Sequence, residues 1–425
     1  MRKQSILLAF LIITSVGSCT KDRAVSYDVI ERELGLPKVS EASENGRKIS
    51  TAMNVMGFEL FKLVSKKAGA EDPGKNLFTS PLSISTALGM TWNGAIGQTE
   101  TQMRDVLGYA EMSQLDILEG YQNLLGFLAT NDSDIIVEYA NSIWFDDSWQ
   151  TVQTYVDQSL RYYDAAIGRI TCQSLDAPKQ INAWIEDKTH GLINNMLSEN
   201  ITLPPRCVML VNTLYFLADW EKDFDADSTR KEPFTTQDGQ ELDVDMMRRG
   251  FLAKYHEDER FQAISIPYKG GRFAWTGLLP KPGSGASDLV EWLSGETWES
   301  LAANMKYAEC DLKLPRFKIE FGTEEMKDYL KEMGMVVPFD AFAADFSGMT
   351  VRGEDLYIYT VLHKSYIEVD EEGTEAAAAT VVGMDAGASA PVDMHTVRFD
   401  HPFVFIIHDT QTNTVLFHGQ FNKPL

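Results

Sequence analysis

The sequence predicts an α+β fold in which strands pair mainly antiparallel. Helical apolar spacing is concentrated early in the chain, short apolar strand runs are mixed with helices and dominate towards the end, and no repeat of fixed period is visible. With 425 residues, 44% hydrophobic and 24% charged, the chain is long enough for a large core and has the composition of a folded protein.

Taken in order, the first element is an address. Arg2 and Lys3 precede an apolar run from Ile6 to Val16, and small residues close it at Val16-Gly17-Ser18-Cys19. This reads as a signal peptide over residues 1–18, too short to span a bilayer. The last four residues resemble the bacterial lipobox, which implies acylation of Cys19 and a lipid-anchored mature chain in the bacterial cell envelope, on the periplasmic side of the outer membrane or at the surface. Residues 19–50 are polar and weakly periodic and read as a flexible linker, with a helical patch at Val29 to Leu34; the folded domain is expected over 51–425. From Met53, apolar residues recur at helical spacing (Met56, Leu60, Phe61, Val64). Ser80 followed by Pro81 is a helix start for the run Leu82 to Thr91.

Strands are expected at Ile135 to Phe145, Val208 to Phe216, Phe261 to Pro267, Phe273 to Leu279, Asp311 to Phe321 and Val361 to Val369. Phe403 to His408 and Thr414 to Gly419 flank a turn at Asp409 to Asn413.

Charge and cysteines exclude several classes. Acidic residues exceed basic ones by 24, and Asp105 to Leu160 holds no Lys or Arg. A nucleic acid partner is therefore not expected, nor activation by a glycosaminoglycan. Cys172, Cys207 and Cys310 are widely spaced and suit neither a disulfide framework nor a metal site, so buried free thiols are expected, with no metal and no cofactor. A hydrolase is disfavoured because Gly-x-Ser-x-Gly, His-Glu-x-x-His and Cys-x-x-Cys are all missing from the sequence, and Pro282-Gly283-Ser284-Gly285 lacks the phosphate-loop lysine.

One stretch fits no ordinary globular element. From Glu371 to Pro391 nearly every residue is small, and the stretch lies between strong strands. Such a long loop is commonly functional.

Here the sequence resembles the serpin reactive-centre loop, and ordered blocks elsewhere agree. They are Asn76 to Ile84, Asn182-Ala183-Trp184 with Thr189-His190-Gly191, Val211-Asn212 through Trp220 to Phe224, Pro267-Tyr268, Leu279-Pro280, His401-Pro402-Phe403, and Leu416 to Gly419. The resemblance implies helices around three mainly antiparallel sheets and an exposed reactive loop at about 371–396. It implies a monomeric suicide-substrate inhibitor of serine proteases, not an enzyme, whose cleaved loop joins the central sheet as a strand.

The same resemblance distributes roles. Glu371, Gly373, Thr374, Glu375, Ala376, Ala377, Ala378 and Ala379 form the hinge; Ser80, Ser83, Asn212 and His363 form a shutter beneath the sheet centre; Trp220, Arg316 and Glu371 form the breach, with an Arg316–Glu371 ion pair expected. If Thr374 faces the core, then Ala376, Ala378, Thr380 and Val382 do so too, and all are small enough to enter, while Glu375 falls on the solvent side. Counting from Glu371 places the scissile bond at Gly387–Ala388, whereas counting back from Pro402 lands nearer Pro391, so candidates run from Ala386 to Ala390. Small residues there point to a shallow-pocketed target, elastase-like or subtilisin-like, although Met384 and Met394 leave a chymotrypsin-like cut open. The competing readings are a non-inhibitory binding or carrier member of the family and an inhibitor of cysteine proteases.

Overall fold

A computed structural model of the chain describes residues 13–14, 28–32, 35–132, 134–191, 193–201, 203–204, 207–351, 356–374 and 394–424. The longest helix, Glu44–Glu71, begins on Ser43, whose side chain accepts a hydrogen bond from the Gly46 amide. It starts earlier than its apolar periodicity, which begins at Met53, because the first turns are held by this cap and by the burial of Gly46, Ile49 and Ser50. Helix Pro81–Trp92 is buried at every residue. Its N-cap is Ser80, with Pro81 at the first helical position. Helices Gly97–Leu107, Gln114–Leu128 and Gln153–Tyr163 complete the layer behind the sheets.

The central sheet runs from Asp28–Glu31 through Ala165–Ile170, Ile135–Asp146, Cys207–Asp219, the short Gly373–Thr374 and Tyr357–Val369 to Phe317–Glu325. Ile13–Thr14 lies against Asp28–Glu31, and Thr130–Asp132 pairs with Ile135–Asp146. The second network runs His395–Arg398, Lys306–Pro315, Glu241–Glu257, Phe261–Pro267, Phe273–Pro280, Phe403–Asp409, Val415–Phe421 and Leu77–Thr79. Three sheets are expected, and two hydrogen-bonded networks form. Strand Glu241–Glu257 is 17 residues long and belongs to two leaves at once, pairing with Lys306–Pro315 over most of its length and with Phe261–Pro267 near its end. The architecture is the α+β one expected.

Two expectations are corrected. Asp311 to Phe321 is not one strand but two, Lys306–Pro315 in the second network and Phe317–Glu325 in the central sheet. The corner is Arg316, whose amide donates to the Asp245 carbonyl at 2.8 Å. Burial alternates on Cys310, Leu312 and Leu314 before the corner and on Phe317, Ile319 and Phe321 after it. That slip of one residue is the mark of a chain turning over. The stretch read as a linker is also partly docked: instead of a helical patch, Asp28–Glu31 is a strand paired with Ala165–Ile170, with Val29 buried. Cys19 lies outside the described residues.

The main core lies between the helices and the sheets, and a smaller one lies on the opposite face of the central sheet. There helix Ala177–Lys188 packs Ile181, Trp184 and Ile185 against Trp144, Met209 and Val211. Trp144 and Trp184 meet edge to face at 6.1 Å. Cys172 and Cys310 are buried and outside any disulfide. Among the described residues no helix is long and apolar enough to cross a membrane, and no group of His, Cys, Asp or Glu could hold a metal ion.

Candidate functional site

The central sheet is split between its two middle strands. Cys207–Asp219 and Tyr357–Val369 pair in parallel over Tyr357↔Cys207, Ile358↔Val208, Thr360↔Met209 and Val361↔Leu210, then separate. Among the described residues no ladder pair joins 211–217 to 362–368. At the far end the gap is closed by Gly373–Thr374, antiparallel to both walls, with Gly373 opposite Asp219 and Thr374 opposite Ala218 and Val369. Among the described residues the split is thus a strand-wide slot filled at its upper end by Gly373–Thr374.

Gly373 is required there by close approach. A Cβ at that position would run into the Ala218 carbonyl oxygen, a backbone atom that cannot yield. Thr374 faces inward, only 3% exposed, and its hydroxyl meets the Tyr268 hydroxyl at 2.6 Å.

The segment leading into the hinge is held from several sides. Trp220 donates from its indole to the Asp370 carbonyl at 2.9 Å and from its backbone amide to the Glu372 carbonyl at 2.8 Å. Its ring stacks on Tyr268, 4.6 Å between centroids and 5° from parallel. Arg316 donates to the Glu371 carboxylate in a fork at 2.7 and 3.1 Å, and Thr229 adds a bond at 2.6 Å. Glu371 is 7% exposed and Arg316 46%. Burial works against the charged Glu371 carboxylate, but the Arg316 and Thr229 bonds outweigh it and hold its pKa below the ordinary value.

Lower in the slot the chemistry is neutral. His363, on an inward position of its strand, accepts the Ser80 amide at Nε2 at 3.2 Å. Burial lowers its pKa to about 4, so the ring is uncharged at neutral pH. The Ser80 hydroxyl donates to Leu416 at 2.7 Å and accepts the Ser83 amide at 3.1 Å. Ser83 donates to the Asn212 side-chain oxygen, and Asn212 donates onward to Asn141. Asn141 in turn reaches the Tyr163 carbonyl at 2.8 Å, and Ser365 bonds the Phe78 carbonyl. These bonds tie both walls of the slot, through Asn212 on one and His363 and Ser365 on the other, to helix Pro81–Trp92 and its entrance.

A cover lies across the opposite face. Ile193, Met196, Leu197 and Leu203, which follow helix Ala177–Lys188, pack in the smaller core with Met209 and Val211, and Tyr359 and Leu362 pack against it. Asn182 fastens this segment to the helix by two bonds to the backbone of Leu197, at 2.8 and 2.9 Å. Lys364 donates to the Asn194 carbonyl at 2.9 Å. The cover therefore touches both walls of the slot.

Ser80, Ser83, Asn212 and His363 meet in one cluster, and Trp220, Arg316 and Glu371 meet in another around the 370–372 backbone. Glu375, Ala376, Ala377, Ala378, Ala379, Gly387 and Ala388 lie outside the described residues. Asn141, Ser365 and Thr229 were not anticipated, and Tyr268 was singled out only within the Pro267-Tyr268 block, without a role. Asn141 and Ser365 were nonetheless visible as polar residues within buried strand runs.

Comparison with known proteins gives a consistent result. Residues 51–424 match the family model described as serpin (serine protease inhibitor). Human Serpin B3 is 32% identical over 399 residues, covering 88% of this chain and 99% of that protein. The crystal structure of the thermophilic serpin tengpin in its native state superposes with a TM-score of 0.80 at 30% identity, covering 92% of this chain and 97% of that one. Human thyroxine-binding globulin bound to thyroxine shares the fold, with a TM-score of 0.79 at 24% identity and coverage of 89% and 99%.

Proposed function

The chain belongs to the serpin family, and from that premise we propose that it is a suicide-substrate inhibitor of serine proteases with small apolar primary specificity. The observation that carries this reading is the placement of Gly373–Thr374 as the first two residues of an otherwise missing strand. Strand addition to a sheet is a general mode of recognition, and serpin loop insertion is one of its known examples.

The observed register extends directly. Each step forward along the loop is a step back along both walls, so Ala376 would face Phe216 and Ile367, and Ala378 would face Leu214 and Ser365. Thr380 would arrive between Asn212 and His363, where a hydroxyl can bond to the polar cluster. All three are small, so the inward face of the new strand fits beneath packed helices. About a dozen new ladder bonds at a net ~0.5–1.5 kcal/mol each supply on the order of 10 kcal/mol, comparable with the stability of a whole domain.

The chemistry belongs jointly to the two proteins. The protease serine oxygen attacks the carbonyl carbon of Gly387, the bond to the Ala388 nitrogen breaks, and the amine leaves protonated. An ester then joins the protease to Gly387. Insertion drags that ester along the sheet and distorts the catalytic site before water can hydrolyse it. A carrier role finds its support in the likeness of fold to thyroxine-binding globulin, but the run of small residues after Thr374 favours inhibition. We further propose a monomer lipid-anchored through Cys19 in the bacterial cell envelope.

The test mixes the protein with elastase, subtilisin, trypsin and chymotrypsin in turn. An SDS-resistant adduct with the first two, and a released peptide beginning at Ala388, is expected; turnover without an adduct would sink the proposal. Labelled fatty acid should enter the wild type and not a Cys19→Ser variant.

A further inference from the structure

The docked strand Asp28–Glu31 fixes where the leading segment of the chain joins the body. It runs antiparallel to Ala165–Ile170, with Asp28 opposite Arg169 and Ile30 opposite Ile167. Ala165–Ile170 runs parallel to Ile135–Asp146, which sets Arg169 beside Phe145. Trp144 lies opposite Met209, so Asp28 stands at about the level of Val208, at the foot of the slot where Cys207 pairs with Tyr357. Because the strand climbs from Asp28 to Glu31, whatever precedes Asp28 leaves the body at the foot.

The joint is firm. Val29 is buried in the smaller core. The Glu31 carboxylate accepts from the Trp184 indole at 2.8 Å and from Lys188 at 2.9 Å, which fastens the strand to helix Ala177–Lys188. Arg32 donates to the Arg161 carbonyl at 3.2 Å, and the Val39 amide donates to the Gly126 carbonyl at 3.3 Å. A pull from ahead of Asp28 is therefore taken at the foot of the sheet and not at helix Glu44–Glu71.

We propose that the lipid anchor holds the foot of the central sheet towards the bilayer, so that the reactive loop stands at the far pole, open to soluble proteases, and trapping carries the captured enzyme down to the membrane side. The inference rests on the anchor and on the inhibitory reading, and deepens both. Cys19 stands nine residues ahead of Asp28, a span of at most about 30 Å. The upper end of the slot, at Ala218, lies ten residues above Val208, ~33 Å up the sheet. The loop begins there, after Thr374. After insertion Gly387, thirteen residues further on, would pass below Cys207, ~43 Å beneath Thr374. Whatever the tilt of the molecule, the tether keeps the foot within its own reach of the bilayer, whereas nothing ties the loop end. The excess of 24 acidic residues opposes lying flat on an anionic surface.

The experiment places the lipidated protein on vesicles of phosphatidylethanolamine and phosphatidylglycerol that carry an acceptor dye on their headgroups, and adds elastase labelled with a donor dye. Energy transfer is compared for active elastase, trapped as the adduct, and for elastase with its catalytic serine replaced by alanine, which docks on the loop without cutting it. Trapping should bring the protease ~40 Å nearer the bilayer and raise the transfer. A flexible spacer of about twenty Gly and Ser residues inserted after Lys21 should lower it again, with the rate and yield of the adduct unchanged. Equal transfer from docked and trapped elastase, or transfer that ignores the spacer, would overturn the inference. Adduct formation in detergent solution and flotation with the vesicles are followed alongside. If no adduct forms, the inhibitory reading fails; if the protein does not float, the anchor fails; and either failure takes this proposal with it.

Discussion

The two ends of the split in the central sheet are held by different chemistry. At the upper end a buried carboxylate, a half-exposed guanidinium and a stacked tryptophan grip the chain that leads into the loop. At the lower end neutral side chains bind the two walls to a buried helix. On the proposed reading, the upper group holds what would have to enter, and the lower group holds what would have to part. A charged grip with one solvent-facing partner can be released locally. A buried neutral network yields only when something replaces its bonds, and the extended register puts Thr380 where it could do so.

The sharpest way to break this contrast is Thr374→Arg. An arginine cannot occupy the inward site beside Tyr268, so the adduct should vanish, the loop should still be cut at the normal rate, and cleavage should no longer raise the melting temperature. Retention of the adduct would show that the hinge does not enter where Gly373–Thr374 now sits.

Asn212→Ala tests the lower end. It orphans Ser83 and Asn141 in a buried site, and denaturant unfolding of the intact protein should show a loss of about 2–4 kcal/mol.

His363 adds a pH signature to the same end. Its pKa is lowered from 6.5 to about 4 by burial. Below pH ~6.5 the unfolded chain takes up a proton that the folded ring refuses, so stability falls with acidification until the pH reaches the folded value. His363→Asn should flatten the melting-temperature profile between pH 6.5 and 4. The slope it removes is on the order of 1.4 kcal/mol per pH unit, and His408 and His418, lowered to about 4 and about 3, keep the rest of the slope.

Changes to the Arg316–Glu371 pair should have the smallest effects, beginning with Arg316→Ala. Half-exposed ion pairs contribute ~1 kcal/mol or less. The variant should cost somewhat more than Glu371→Gln, because the first leaves a buried carboxylate with Thr229 alone whereas the second removes the charge. Equal melting temperatures for the two would deny Glu371 its buried character.

Much of this site was legible in the sequence, because small residues in a loop and polar residues within apolar runs are local signals. Ser80 shows the limit of such reading: as a helix cap it announces itself, but its bond to His363 spans 283 residues and has no local trace. The contact of Tyr268 with Thr374 and that of Thr229 with Glu371 were missed for the same reason, since Pro267-Tyr268 carries the resemblance but no partner, and a threonine near an acidic turn has no distinctive spacing. The break at Arg316 was readable from the slip in alternation, but apolar richness on both sides concealed it. Asp28–Glu31 looked like linker because an edge strand of four residues is too short to establish a period, and its burial depends on Ala165–Ile170 being there to receive it.

The four parallel pairs at the foot of the slot divide any journey down it into two legs. On the proposed inhibitory reading, residues up to Val381 would enter a stretch where no ladder pair joins the two walls among the described residues, whereas Val382 would have to unzip Val361 from Leu210 and the residues after it the remaining pairs. A captured protease would therefore meet a tollgate halfway, where its own clock for hydrolysis runs against the unzipping. An enzyme quick enough at that point would leave free with a spent loop behind it, and a slower one would be carried past and stay.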